Sequence, residues 1–225
     1  MANKNEYTQH YMSDEFFTKF VVPVFGKYEC VKSNPKKSIF DSCREVQICE
    51  TILGTGTLVG NLLITAAHIF NGYFEPSFKF ENELYPLCKE NQIIQIDAPK
   101  GQGVEVYNDS DCGDIAIFRM TSIFSPIELA ESLPKQGQVL NNRFYCSIYK
   151  DGIDTIGIMS DDEGIAGNFF TCEMKPQHPT KGGSSGSPLF LGNILYGILH
   201  GGKDDYCVFY STIKASINVL IEQNS

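Results

Sequence analysis

The residues best placed to do chemistry centre on one serine. Gly182-Gly183-Ser184-Ser185-Gly186-Ser187-Pro188 sets Ser185 in a glycine-rich turn just ahead of an apolar strand, Leu189-Phe190-Leu191. A serine hydroxyl is a weak nucleophile until a base takes its proton, and a carbonyl under attack needs N–H donors for its developing negative charge. Glycines that let the backbone approach closely allow one turn to offer both. Candidates for the base and its orienting carboxylate lie upstream. His68 ends Gly56-Thr57-Leu58-Val59-Gly60-Asn61-Leu62-Leu63-Ile64-Thr65-Ala66-Ala67-His68, which reads as two short strands joined at Gly60-Asn61 and closed by a small-residue turn. Asp114 opens Asp114-Ile115-Ala116-Ile117-Phe118-Arg119, the apolar pattern of a buried strand. His, Asp and Ser in this order, at domain-sized intervals, suit acyl transfer by a triad.

Each segment alone has a plainer reading. The glycine-serine run is also linker-like, His68 fits a packed core or turn histidine, and Asp114 fits a strand-initiating turn. A linker, however, gives no reason for the other two segments. Gly182-Gly183-Ser184-Ser185-Gly186 also fits G-x-S-x-G with Ser184 at its centre. An α/β-hydrolase then needs an acid followed by a histidine, whereas the only later histidine, His200, precedes Asp204 and Asp205. About forty residues follow Ser185, too few for the crossovers that would complete a doubly wound sheet. Ser185 is therefore the candidate nucleophile.

Thr65-Ala66-Ala67-His68, Asp114-Ile115-Ala116 and Gly183-Ser184-Ser185-Gly186-Ser187-Pro188 together resemble the signature segments of the trypsin-like, chymotrypsin-fold serine peptidases. The resemblance runs from about Val46 to Tyr210. It implies an all-β fold of two six-stranded antiparallel β-barrels with a C-terminal helix. Residues 1–124 would hold an N-terminal segment and the first barrel, with His68 and Asp114. Residues 125–225 would hold the second barrel, Ser185 and the helix, the whole forming one peptidase domain. The implied activity is that of a serine endopeptidase: Ser185 attacks, His68 takes its proton, Asp114 fixes the His68 tautomer, and the Gly183 and Ser185 N–H groups form the oxyanion hole. A catalytically weak binding module on the same barrels, or an esterase using the same triad, are the alternatives.

Ser184 stands where zymogen-activated members carry an Asp that pairs with a freshly cut terminus. The resemblance is therefore closer to bacterial and viral branches, above all glutamyl endopeptidases with their Gly-Gly-Asn-Ser-Gly-Ser-Pro turn. Pro179 falls at the pocket floor, where trypsin has the counter-charge for Lys and Arg. Thr180 matches a threonine of the glutamyl enzymes. Leu199 falls at the place of their pocket histidine, and His200 follows it in Gly197-Ile198-Leu199-His200-Gly201-Gly202. The implied substrate-binding set is Thr180, Leu199, His200, Gly201 and Gly202, with the two glycines leaving the mouth open and a substrate backbone pairing along this edge. Two readings of His200 stand side by side: a pocket group, or, because adjacent strand residues face opposite ways, a buried histidine turned toward Asp114. His178 is a rim or a plain loop histidine, and His10 has no such context.

A chain of 225 residues with 42% hydrophobic content can bury one large core or two small ones without a further domain. The first residues, Met1 to Tyr7, have no apolar stretch, and Phe16 to Phe25 is interrupted by Lys19 and Pro23. That excludes a signal peptide or anchor there and points to a cytoplasmic protein. Ser13-Asp14-Glu15 is placed to cap a short helix leading into a strand near Phe20 to Val24. Eight cysteines lack the spacing around His68 and Ser185 that secreted relatives use, so reduced thiols are expected, with no C-x-x-C pair for zinc. The triad requires no metal or cofactor. A net charge of −9, from 27 acidic and 18 basic residues, disfavours nucleic acid and anionic membranes, while the resemblance implies a protein or peptide substrate, including one dedicated partner. Asp161-Asp162-Glu163-Gly164 reads as a solvated turn. Ser211 to Glu222 reads as a closing helix with Ile213, Ile217, Leu220 and Ile221 on one face.

Overall fold

The computed structural model describes residues 15–31, 46–97, 113–146, 148, 151–160, 168–175, 182–203 and 205–224. Thr180, His178, His10, Pro179, the Ser13-Asp14 cap and the acidic turn at 161–164 lie outside them. One helical turn, Glu15–Thr18 (α1), leads into β1 (Val21–Val31), β2 (Val46–Val59) and β3 (Leu62–Thr65). A 3-10 turn at Ala67–Phe70 follows, then β4 (Phe74–Phe80), β5 (Glu83–Pro86), β6 (Gln92–Ile96) and β7 (Ile115–Arg119). These strands form a seven-stranded sheet in the order β5-β4-β1-β2-β3-β7-β6. Every ladder in it is antiparallel.

The second sheet contains β8 (Glu128–Leu129), β9 (Val139–Phe144), β10 (Ile153–Met159), β11 (Phe169–Lys175), β12 (Pro188–Leu191), β13 (Ile194–Lys203) and β14 (Tyr206–Ser211). Its order is β12-β9-β10-β11-β14-β13-β8, and β12 pairs back onto β13. Six strands thus close into a barrel, with β8 added parallel to β13. The expected all-β, two-barrel architecture with a closing helix is what the chain adopts. The first sheet departs from it in detail: seven strands form a half-barrel, because among the described residues no ladder joins β5 to β6.

The burial pattern explains why these segments pair. The inner half of β2 and Ile115 to Phe118 of β7 are buried on both faces, and Ile115 to Phe118 accordingly reads as a continuous apolar run, whereas Phe169–Lys175 alternates. Alternation sends Phe170, Cys172 and Met174 into the second barrel with Leu140, Leu189 and Phe209. Phe169, Ile198 and Tyr210 instead join the first core, which runs on from Leu58, Leu63 and Ile117. One hydrophobic cluster therefore spans both sheets, and helix α2 (Lys214–Asn224) closes onto it through the fully buried Ile217.

Two expectations need correction. The helix starts at Lys214 rather than Ser211, because the strand ladder continues to Ser211, which ends β14 with its N–H bonded to the Asn168 carbonyl. Cys30 is joined to Cys49 in a disulfide, against the expectation of reduced thiols throughout. The pairing of β1 with β2 sets Cys30 opposite Gln47 and Cys49 opposite Tyr28, a diagonal closeness that linear spacing does not reveal. Cys88, Cys146, Cys172 and Cys207 are not in disulfides. Among the described residues no helix is long and apolar enough to cross a membrane.

Thr55 joins the two sheets. It is fully buried in β2, and its Oγ1 accepts the N–H of Tyr145 at 2.9 Å and donates to the Gly183 carbonyl at 3.3 Å. Thr55→Val keeps the volume but strands both partners in the interior. The expected result is a loss of about 1–3 kcal/mol, read as a lower denaturant midpoint at unchanged slope.

Candidate active site

Strand direction brings His68 and Asp114 together. β3 and β7 are antiparallel, with Thr65 opposite Ala116. The turn that leaves β3 and the residue that enters β7 therefore share one end of the sheet. His68 lies in the 3-10 turn after β3, and Asp114 sits immediately before β7. Two contacts join them: the His68 backbone N–H donates to Asp114 Oδ1 at 3.0 Å, and its Nδ1 lies 2.6 Å from Asp114 Oδ2. On the other side of the ring, Nε2 lies 2.8 Å from Ser185 Oγ. The three residues singled out in sequence thus form one continuous chain of hydrogen bonds.

The Ser185 turn is fixed from both barrels. Gly186 N–H donates to the Leu199 carbonyl at 2.7 Å, and Leu199 N–H donates to the Ser187 carbonyl at 2.8 Å, which ties the turn to β13. Thr55 N–H donates to the Ser185 carbonyl at 2.8 Å, which ties it to β2. The buried amide of Asn142 donates to Ser187 Oγ at 3.2 Å and to the Pro188 carbonyl at 2.7 Å, while Thr155 Oγ1 donates to its oxygen at 2.9 Å. Gly183 and Gly186 have φ of 105° and 80°, the left-handed region that glycine occupies without strain. At Gly186 there is also no room, since a Cβ would lie 2.3 Å from the Thr55 carbonyl oxygen.

His200 is turned to the carboxylate. The β13–β14 register pairs Leu199 with Phe209 and Gly201 with Val208, leaving His200 as an extra residue in a bulge. A bulge re-aims its side chain. Nδ1 of His200 lies 2.5 Å from Asp114 Oδ2, the same oxygen that His68 reaches. The ring is 5.8 Å centroid to centroid from that of His68 and 5.3 Å from Phe169. Of the two readings of His200, the described contacts are those of the Asp114 partner. Leu199, expected on a pocket wall, has its side chain in the second core and serves the turn through its backbone. Gly201 opens onto free space, whereas a Cβ on Gly202 would meet Cys207 Sγ at 2.6 Å.

The electrostatics centre on Asp114, whose side chain is 0% exposed. Burial works to raise its pKa. The hydrogen bonds from His200 and His68, and the charge those rings can carry, outweigh it and hold the carboxyl at about 2. An ionised carboxylate only accepts, so both Nδ1 atoms must carry hydrogen. Nε2 of a neutral His68 is then left as the acceptor for the serine proton. His68, Asp114 and His200 are also a group of potential metal ligands. Their N···O separations of 2.6 and 2.5 Å are those of hydrogen bonds. A cation at about 2.0–2.1 Å from each atom would need those ligands farther apart.

Thr55 and Asn142 were not found from the sequence. The small residues of Gly54-Thr55-Gly56 were the available signal: a Cβ on Gly54 would lie 2.8 Å from the Ser185 carbonyl oxygen, so β2 approaches the turn only because it is bare there. A 410 Å³ groove lined by Phe25, Leu84, Pro86 and Leu87 includes no triad residue.

The sequence matches no protein-family model and no curated protein sequence. Its fold is similar to solved serine proteases. The HtrA-type protease AlgW, solved with a decapeptide, is 16% identical with a TM-score of 0.60, over 93% of this chain and 66% of that one. This chain thus spans just under two thirds of the AlgW chain. The M. tuberculosis Rv3671c protease in its inactive form is 14% identical with a TM-score of 0.62, over 100% of this chain and 98% of that one. Kallikrein-related peptidase 10, solved with Zn2+, is 14% identical with a TM-score of 0.59, over 92% and 97%. At these identities the likeness is one of fold, and that fold is the double β-barrel of the trypsin-like serine proteases.

Proposed function

We propose that this protein is a serine endopeptidase that cleaves protein or peptide substrates through an acyl-enzyme. The observation that carries the reading is the unbroken relay from Ser185 Oγ to His68 Nε2 at 2.8 Å and from His68 Nδ1 to Asp114 Oδ2 at 2.6 Å. In this reading Ser185 Oγ attacks the scissile carbonyl as its proton moves to His68 Nε2. Asp114 stabilises the imidazolium, which then protonates the leaving amine, and water repeats the sequence to free the acid. Gly183 and Ser185 supply the oxyanion donors; among the described residues neither N–H is bonded to a protein acceptor. Each such donor contributes about 3–4 kcal/mol to lowering the barrier.

The same geometry bears on the cleavage-site residue. Glutamyl specificity by resemblance relied on an imidazole beside Thr180, and His200 contacts Asp114 instead. The resemblance puts Pro179 at the floor position and Gly201 on the wall, and Gly201 opens onto free space, so the pocket we propose takes an uncharged side chain.

A fluorophosphonate probe is expected to label the protein stoichiometrically at Ser185. Labelling should vanish in Ser185→Ala and slow by about 10³-fold or more in His68→Ala and Asp114→Asn. No labelling, or labelling that survives Ser185→Ala, contradicts the assignment. Peptide-library cleavage, with Ser185→Ala as control, is expected to favour neutral residues before the cut; dominance of Glu, Asp, Lys or Arg would contradict the pocket. Asp114 also makes stability pH-dependent. Its depressed pKa stabilises the fold fully above about pH 4, and that contribution is lost as pH falls through about 2. Asp114→Asn should flatten this part of the unfolding profile.

A further inference from the structure

We propose that His200 is a positioning residue of the triad whose own protonation opposes that of His68, so that a pair of imidazoles sharing one carboxylate oxygen governs the acid side of the reaction. The inference rests on the catalytic reading of Ser185, His68 and Asp114 and adds to it a fourth, titratable group.

Three observations carry it. His200 is the bulged residue of β13, so its direction is set by the backbone register rather than by a freely chosen rotamer. Its Nδ1 and that of His68 both reach Asp114 Oδ2, at 2.5 and 2.6 Å. The side chains are 15%, 30% and 0% exposed for His200, His68 and Asp114, so solvent screens the three charges weakly. Among the described residues, Asp114 and His68 face His200, and the phenol of Tyr210 lies beyond the Phe169 ring. Burial pushes that phenol above its ordinary range, which keeps it neutral. At Asp114 Oδ2, two imidazoles share one negative charge.

With both rings neutral, two Nδ1–H groups and the His68 backbone N–H hold the carboxylate in one orientation, and His68 Nε2 is aimed at Ser185. A proton added to His200 uses the single negative charge of Asp114. The imidazolium that must form on His68 during attack then meets a second cation one ring away. Catalysis falls even where His68 is still neutral. A Gln at position 200 can keep an N–H donor without the titration, and a Leu keeps neither.

The test is ¹⁵N-histidine NMR titration of the parent and H200Q, combined with the rate of fluorophosphonate labelling. In the parent, both His68 and His200 should be Nδ1–H tautomers, and each ring should titrate in two steps because each feels the other. In H200Q, His68 should titrate in one step, the acid limb of labelling should move to lower pH, and the maximal inactivation rate should exceed that of H200L. H200L should lose about tenfold in the maximal inactivation rate, with half-saturation by the probe unchanged, as lost orientation predicts. A His200 Nε2–H tautomer, independent single-step titrations in the parent, or superimposable acid limbs for parent and H200Q would each overturn the proposal. A parent that is not labelled at Ser185 refutes the catalytic reading instead. The tautomers and the coupling, read by NMR on the unmodified chain, decide the His200 arrangement separately.

Discussion

A buried carboxylate without solvent must be satisfied by the protein, and Asp114 imposes that demand on its end of the molecule. Three N–H groups meet it: the backbone and Nδ1 of His68, and Nδ1 of His200. Removing one partner from such a site leaves a buried charge incompletely paired, a loss of several kcal/mol in the general case. The demand also fixes chemistry. Because Asp114 can only accept, it sets the tautomer of His68, and that tautomer makes Nε2 a base facing Ser185. The pairing of this end and the aim of His68 Nε2 at Ser185 thus follow from one ionised group.

Its donors come from separate parts of the chain, and the fold is what gathers them. Antiparallel pairing of β3 with β7 places His68 beside Asp114. The β13 bulge brings His200 from the other barrel. Ser185 arrives on a turn tied to β13 through Leu199 and to β2 through Thr55. The apolar cluster shared by both sheets, with Ile217 of the helix fixed onto it, keeps these ends in register. No single strand carries the site; it exists at the junction of the two sheets.

The meeting of Ser185, His68 and Asp114 was legible because each sits in a short local context: a glycine turn, the end of an apolar hairpin and the start of a buried strand. The two-barrel plan was legible through the same segments, by resemblance. Strand alternation alone left the direction of His200 open, because a bulge inserts an extra residue and resets which way a side chain faces. Leu199 was misplaced on the pocket wall since its backbone role depends on pairing with the Ser185 turn. The Cys30–Cys49 bond and the bridging hydroxyl of Thr55 depend on contacts between distant residues, for which composition and spacing carry no signal.

The most direct measurement of the central claim is a crystal structure of the protein after reaction with diisopropyl fluorophosphate. The account predicts continuous density from Ser185 Oγ to phosphorus, the phosphoryl oxygen about 3 Å from the N–H groups of Gly183 and Ser185, and His68 still bonded to Asp114. An unmodified Ser185, a phosphoryl group on Ser184 or Ser187, or His68 parted from Asp114 would contradict it.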